Sequence, residues 1–174
     1  MRFFFDIRVP AGWVFFILVA LTGKMQNFWP LIFVIAGEWI RTVAAGTIKK
    51  NEMLATTGIY RIVRHPLYFG SFNISLGFCL MSSIMILWIY MLIFFPLCYG
   101  STIILEERHL DEKFGKTFKE YKKSVSSFFP LKIPVGSIKS DFSLTQAFRN
   151  KEHHNWFVLL ILLFILILKR MQAF

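Results

Sequence analysis

Between Leu67 and Leu105 the chain has no Asp, Glu, Lys, Arg or His. At about 1.5 Å per helical residue this run is roughly 58 Å long, twice the hydrocarbon thickness of a bilayer, so a single crossing cannot use it up. Two apolar spans joined by a tight turn fit the length, with the turn at Ser82 and Ser83. Cysteine is also scarce: Cys79 and Cys98 are the only two, both inside apolar segments and without CxxC or Cys/His spacing. That excludes a disulfide framework and gives no zinc site. The apolar stretch near the N-terminus lacks a clear small-x-small cleavage site, so it reads as a retained first span. Internal repeats and low-complexity tracts are absent.

Acidic residues are few, 10 against 20 Lys and Arg, for a net charge of +10. The cations gather at the N-terminus, over Lys49 to His65, and over Arg108 to Lys151. Because these clusters flank apolar spans, the positive-inside rule accounts for them without a nucleic acid partner. What the chain has in abundance is apolar surface: it is 56% hydrophobic with 21 Phe, and its mean hydropathy is +0.56. Such a composition belongs to a membrane protein.

The expected fold is an all-α integral membrane protein with four to five transmembrane helices and a cytoplasmic amphipathic helix. Val9 to Gly23 is a short first span, and a second runs from about Met25 to Ile48. Glu38 and Arg41, three residues apart in that second span, share a helix face and can neutralise each other. Lys49 to Leu67 forms a polar loop, and spans three and four come from the uncharged run. With that loop on the cytoplasmic side, the N-terminus and everything after Leu105 are also inside, in agreement with the charge bias.

From Glu106 to Phe129, Leu110, Phe114, Phe118, Tyr121, Val125 and Phe128 recur every three or four residues, while Lys113, Lys116, Lys119, Lys122 and Lys123 fill the other face. This predicts an amphipathic helix lying on an anionic leaflet, with a bend or close approach at Gly115. Pro130 to Asn155 is polar. Trp156 to Leu168 is wholly apolar but only about 20 Å long as a helix, which suits a tilted half-span, an interfacial helix or a thin fifth span. Lys169 and Arg170 argue against translocating its end.

Three constellations sit where spans meet the cytoplasm: Gly37 to Arg41 (GEWIR), Gly58 to Gly70 (GIYRIVRHPLYFG) and the segment starting at Glu106 and Glu107 (EERHLDEKFGKTFKEYKKSV). Short turns in a bundle bring all three to one pocket with an apolar wall. Adjacent carboxylates at the end of a span call for positive charge, whether from Arg64 or Arg41 in a structural ion-pair network or from a ligand. His65 precedes Pro66 and is held away from helical geometry, which suits a ligand-facing loop and a membrane-entry turn alike. Gly70 and Gly77 permit close helix approach, and packing alone explains them.

The order and spacing of these residues resemble the isoprenylcysteine carboxyl methyltransferase family, within the wider group of small integral membrane methyltransferases that includes phospholipid N-methyltransferases. The pattern comprises Gly37, Glu38 and Arg41; Gly58, Tyr60, Arg64 to Pro66, Tyr68 and Gly70; then Glu106, Glu107, Leu110, Phe114, Gly115, Tyr121, Lys122, Val125 and Phe128 to Pro130. It divides the chain into residues 1–36 outside the match, a catalytic core over 37–130, and a linker with a C-terminal apolar helix over 131–174. The resemblance implies a cytoplasmic S-adenosylmethionine pocket joined to a membrane-facing tunnel for a lipophilic or lipidated acceptor.

Carried over residue by residue, Tyr60, Arg64, His65, Tyr68, Gly70, Glu106 and Glu107 bind the cofactor. The sulfonium and ammonium answer the two glutamates, and Arg64 clamps the cofactor's carboxylate. Arg41, beside Glu38, is the candidate for holding an acceptor carboxylate. Transfer from an already activated methyl donor needs alignment in a water-poor site and no metal. Arginines that eukaryotic prenylcysteine enzymes carry just before the paired acids are missing from Cys98 to Leu105, which leaves amine or thiol acceptors, a small lipid and another isoprenoid acid open. A nicotinamide-dependent membrane reductase and a non-catalytic membrane adaptor are the competing readings. The short chain points to the inner membrane of a prokaryote.

Overall fold

The computed structural model describes residues 2–49, 53–131 and 141–172. Among them regular structure is helical: α1 (Arg2–Thr22), α2 (Leu31–Thr47), α3 (Pro66–Ser82), α4 (Met85–Phe95), α5 (Ser101–Ser124), α6 (Leu144–Arg149) and α7 (Glu152–Met171), with a short 3-10 turn at Gly58–Arg61. By length and composition, two helices are apolar enough to cross a bilayer: the continuous rod Met85–Ser124 and Glu152–Met171. Val9–Thr22 is a shorter apolar helix.

The helix boundaries follow from local chemistry. α2 starts at Leu31 and not near Met25, because Pro30 supplies a preset φ of −70° and no N–H where the first turn needs none. α3 opens in the same way on Pro66 and stops at Ser83, which turns left-handed at φ 51°. The uncharged run therefore reverses at Ser82 and Ser83, as its length requires. Pro96 removes a donor from the ladder after α4, and the helix continues through a widened π turn at Pro96–Gly100 into α5.

The expected separate amphipathic helix is instead the far end of this rod. Gly115 breaks it with φ 49° and ψ −116°, a conformation open to glycine. The apolar face predicted from the periodicity forms a small core of its own, in which Phe118, Tyr121 and Val125 are buried against Leu54, Leu110 and Phe114. Helical geometry ends at Ser124; Val125 leaves it in extended conformation, Ser126 pairs in a bridge, and the chain then bends over Ser127 to Phe129.

The main core joins five helices: Phe15 and Val19 from α1, Val34 from α2, Ile74, Phe78 and Met81 from α3, Leu87 and Met91 from α4, and Leu159, Leu162 and Leu166 from α7. α7 is thus a full twenty-residue helix packed into the bundle. The sequence reading took Lys169 and Arg170 as an argument against translocating the end of this stretch. The structure puts them at the end of α7 opposite Glu152, where Lys169 donates to the carbonyls of Ala20 and Leu21 at 2.6 and 2.8 Å and Arg170 to those of Met25 and Gln26 at 2.9 and 3.1 Å. Carbonyls left over at the end of α1 need donors, which Lys169 supplies, while Arg170 serves the segment that follows α1.

α2 and α3 pack closely because glycines face each other. A Cβ on Gly70 would lie 2.6 Å from the Gly37 carbonyl and 2.6 Å from Cγ of Arg41. Gly70→Ala is therefore expected to lower stability by about 1–3 kcal/mol, the usual range for overpacking. A thermal unfolding midpoint in detergent equal to that of the unsubstituted protein would contradict this packing.

Candidate active site

The loop before α3 is fixed by backbone pairing that the sequence pattern did not reveal. The segment after α5 returns alongside it: Arg64 N–H donates to Ser126 O at 2.9 Å and His65 N–H to Ser127 O at 3.1 Å. Val63 and Ser126 form an isolated parallel bridge. The Tyr121 hydroxyl donates to the Tyr60 carbonyl at 2.6 Å. His65, kept extended ahead of Pro66, has φ −121° and ψ 62°.

The two adjacent acids then take different partners. Glu107 receives Arg64 through Nη2 at 2.6 Å and Nε at 3.1 Å, Lys122 Nζ at 2.7 Å, the Ser127 hydroxyl at 3.1 Å, and His65 Nε2 at 3.4 Å. Arg64 also donates to the carbonyls of Lys122 and Val125. The charge of Glu107 is therefore met inside the protein, by the Arg64 ion pair that the sequence reading weighed against a ligand's cation. Arg64, expected to clamp a cofactor carboxylate, is engaged with Glu107 in the same way. Glu106 instead accepts from the Tyr68 hydroxyl at 2.5 Å and lies 3.5 Å from His65 Nδ1. His65 bridges the two acids, one ring nitrogen toward each.

Both titrations follow from this geometry, beyond the last apolar turn of the rod. Burial pushes the Glu107 carboxyl upward, but hydrogen bonds from His65, Lys122 and Arg64 outweigh it and hold the group well below the usual carboxylate range. Burial disfavours the imidazolium of His65, yet its hydrogen bonds and charge interactions with Glu106 and Glu107 raise its pKa above the ordinary histidine value. Each ring nitrogen of His65 thus faces a carboxylate oxygen, at 3.5 and 3.4 Å.

Glu106, His65, Tyr68, Tyr60, Arg64 and Arg41 all line one cavity of about 1170 Å³. Its walls continue into apolar side chains, among them Trp13 and Phe16 of α1 and Phe94 and Phe95 of the rod. Aromatic rings crowd the acid end: His65 stacks on Tyr68 at 5.8 Å, Tyr68 meets Tyr99 at 5.1 Å, and Tyr99 stacks on Phe95 at 4.2 Å. Glu38, Gly70 and Glu107 are not among the lining residues. Gly70 lies between α2 and α3, as described above, and Glu107 lies behind His65 and Arg64.

At the other polar end the sequence reading paired Arg41 with Glu38. The structure pairs it with Glu152, the first residue of α7: Nε to Oε1 at 2.7 Å and Nη2 to Oε2 at 3.1 Å. Nη1 donates to Ser71 Oγ at 2.6 Å and to the Leu67 carbonyl at 3.4 Å. Glu38 takes Asn155 Nδ2 and the Thr42 hydroxyl instead. Further contacts fasten α7 and its lead-in to α2: Trp156 Nε1 donates to Thr42 Oγ1 at 3.0 Å, and Asn150 Nδ2 donates to the carbonyls of Ala45 and Ile48 at 2.7 and 3.0 Å.

A family model described as phospholipid methyltransferase matches residues 17–117, more than half of the chain, from the last turns of α1 into α5 and including both acids. The chain belongs to the phospholipid methyltransferase family. Within this family, similar relatives include the protein-S-isoprenylcysteine O-methyltransferases of Dictyostelium discoideum, 35% identical over 57% of this chain and 47% of that protein, and of Schizosaccharomyces pombe, 33% identical over 55% of this chain and 41% of that protein. The cobalt-zinc-cadmium resistance protein CzcN of Cupriavidus metallidurans is 31% identical over 63% of this chain and 51% of that protein. The chain thus spans about half the length of these curated relatives. No solved structure matches it significantly.

Residues that the sequence reading passed over include Ser71, Ser127, Asn150 and above all Glu152. The last stands at the head of a polar EHHN run (Glu152 to Asn155) that opens the apolar stretch of α7. An acid placed at the first turn of an apolar helix was the available signal.

Proposed function

We propose that this phospholipid methyltransferase family member transfers a methyl group from S-adenosylmethionine to a lipophilic acceptor at the cytoplasmic face of a membrane, in the manner of the isoprenylcysteine carboxyl methyltransferases. One observation carries the reading: a single cavity joins Glu106, Tyr68 and His65 at one end to apolar side chains of α1 and the rod at the other. A charged small molecule and an apolar chain can meet there. The family match supports the reaction class, and the isoprenylcysteine relatives support the lipidated kind of acceptor.

The residues present fit the cofactor. Glu106 offers a carboxylate at the cavity wall, and Tyr68, Tyr99 and Phe95 offer ring faces, an environment suited to a sulfonium or ammonium and to an adenine ring. When bound, the cofactor supplies an activated methyl group. The protein's part is then to hold and to exclude. His65 and Tyr68 fix the Glu106 carboxylate, the ring cluster sheds water from the acid end, and the apolar walls align an acceptor along one direction.

In this reading Arg64 and Glu107 stiffen the loop that presents Tyr60, His65 and Tyr68, and Glu38 steadies α7 through Asn155. The membrane arrangement that suits this function has α1, α2, α3, the first part of the rod and α7 as crossings. The cavity mouth and the lysine-rich end of α5 lie at the cytoplasmic side of a prokaryotic inner membrane. The phospholipid amine is the second acceptor reading, favoured by the engagement of Arg41 with Glu152.

Isothermal titration of detergent-purified protein with S-adenosylhomocysteine tests the reading. Saturable binding of one equivalent is expected, together with no binding of NADPH. Absence of binding, or preference for the dinucleotide, would replace this function with an adaptor or a reductase.

A further inference from the structure

We infer that Glu152 is a specificity-determining residue that closes the cavity to acceptors ending in a carboxylate. This rests on the methyl-transfer part of the proposed function and narrows its acceptor: the likeness to the isoprenylcysteine carboxyl methyltransferases then extends to the apolar chain and not to the carboxylate. Arg41 is a cavity-lining cation well shaped to grip a carboxylate, since its guanidinium presents a planar fork. That fork is already filled. Both oxygens of Glu152 sit on Nε and Nη2, while Nη1 is taken by Ser71 and the Leu67 carbonyl.

Glu152 is 5% exposed and Arg41 19%. Both of its oxygens are directed to Arg41, and among the described residues no other cation forms an ion pair with it. An incoming carboxylate would have to evict Glu152, leaving it buried without a countercharge and exchanging one ion pair for an equivalent one. An acceptor whose end is uncharged faces no such exchange. Glu106 at the far end adds a second carboxylate to the lining and makes the cavity less hospitable still to an anion.

Glu152 lies outside the 17–117 match. Selection among acceptors is thus assigned to the C-terminal helix and not to the matched core.

Two ligands with the same tail isolate the effect: S-farnesylthioacetic acid and its primary amide, titrated into detergent-purified full chain saturated with S-adenosylhomocysteine. The amide is expected to bind at least tenfold more tightly than the acid. In Glu152→Gln the fork keeps its charge but loses its anion, so the ratio should move at least tenfold toward the acid. In the Arg41→Gln/Glu152→Gln double variant both charges are gone, the site stays close to isosteric, and the gain for the acid should disappear.

Equal or tighter binding of the acid to the unsubstituted protein overturns the assignment, as does a ratio unmoved in Glu152→Gln. A purely packing role for Glu152 would weaken both ligands together and leave their ratio fixed, which also overturns it. If S-adenosylhomocysteine itself does not bind, the methyltransferase reading fails and this inference falls with it. If it binds and the ratio is unmoved, only the role of Glu152 fails.

Discussion

Glu107→Gln is expected to loosen the whole α3 entry loop and to lower stability by about 3–5 kcal/mol, the range for removing one partner of a buried ion pair. Arg64 is 7% exposed and Glu107 12%, so neither charge has water to fall back on. The neutral amide would leave the Arg64 guanidinium answered mainly by the carbonyls of Lys122 and Val125. It would leave Ser127 and His65 only an uncharged amide oxygen to share, and set an NH2 donor against Lys122. Lys122 makes a useful contrast. It contacts the same carboxylate but is 53% exposed, so Lys122→Met should change stability by no more than about 1 kcal/mol. Thermal unfolding of the two variants in one detergent checks the ordering. Equal midpoints would mean that the buried pair contributes no more than the surface one.

The pH dependence follows with a definite sign. The Glu107 carboxyl is held below its unfolded value, so its contribution is fully present above the ordinary carboxylate range and is lost as pH falls through the depressed value. The His65 pKa is raised, so its contribution is fully present below the ordinary histidine pKa, about 6.5, and is lost as pH rises through the raised value. Stability should therefore be greatest in the weakly acidic window between them. Glu107→Gln should flatten both sides of that maximum, since it removes one titration directly and one of the two acids supporting the other.

The same two groups show what a sequence can and cannot reveal here. The pairing of Glu106 and Glu107 at the end of a span announced a demand for positive charge, and the RHP string placed Arg64 and His65 within reach of it. Which acid would be answered from inside was not legible. The answer depends on the return of Val125 to Phe129, a register set by backbone bonds between residues some sixty positions apart, with no side-chain periodicity to mark it. The turn at Ser82 and Ser83 was legible, because an uncharged run of that length allows few alternatives. Glu38 and Arg41 looked like partners because helical spacing was the only geometry available. The acid that actually takes Arg41 comes from α7, more than a hundred residues later, where only tertiary packing could bring it. Helix spacing states which side chains share a face; it does not say what the rest of the chain will press against that face.

Glu106→Gln should leave the fold intact and weaken the charged cofactor. Glu106 is 35% exposed and lines the cavity, with Tyr68 and His65 among its partners, so the substitution costs less than one at a fully buried charge. What it removes is a negative charge facing the place where, in the proposed function, a sulfonium would sit. A hydrogen bond or close contact to a charged group contributes about 1.5–3 kcal/mol. The expected outcome is a loss of roughly 10-fold to 100-fold in affinity for S-adenosylmethionine. S-adenosylhomocysteine has the same ammonium but an uncharged sulfur, and that difference locates the contact. If Glu106 faces the sulfur, the homocysteine form should weaken by much less than the methionine form; if it faces the ammonium, the two should weaken together. Calorimetric titration of both ligands into both proteins separates these outcomes. Unchanged affinity for both ligands in Glu106→Gln would remove this acid from the binding site and leave its carboxylate with a structural role beside Tyr68 and His65.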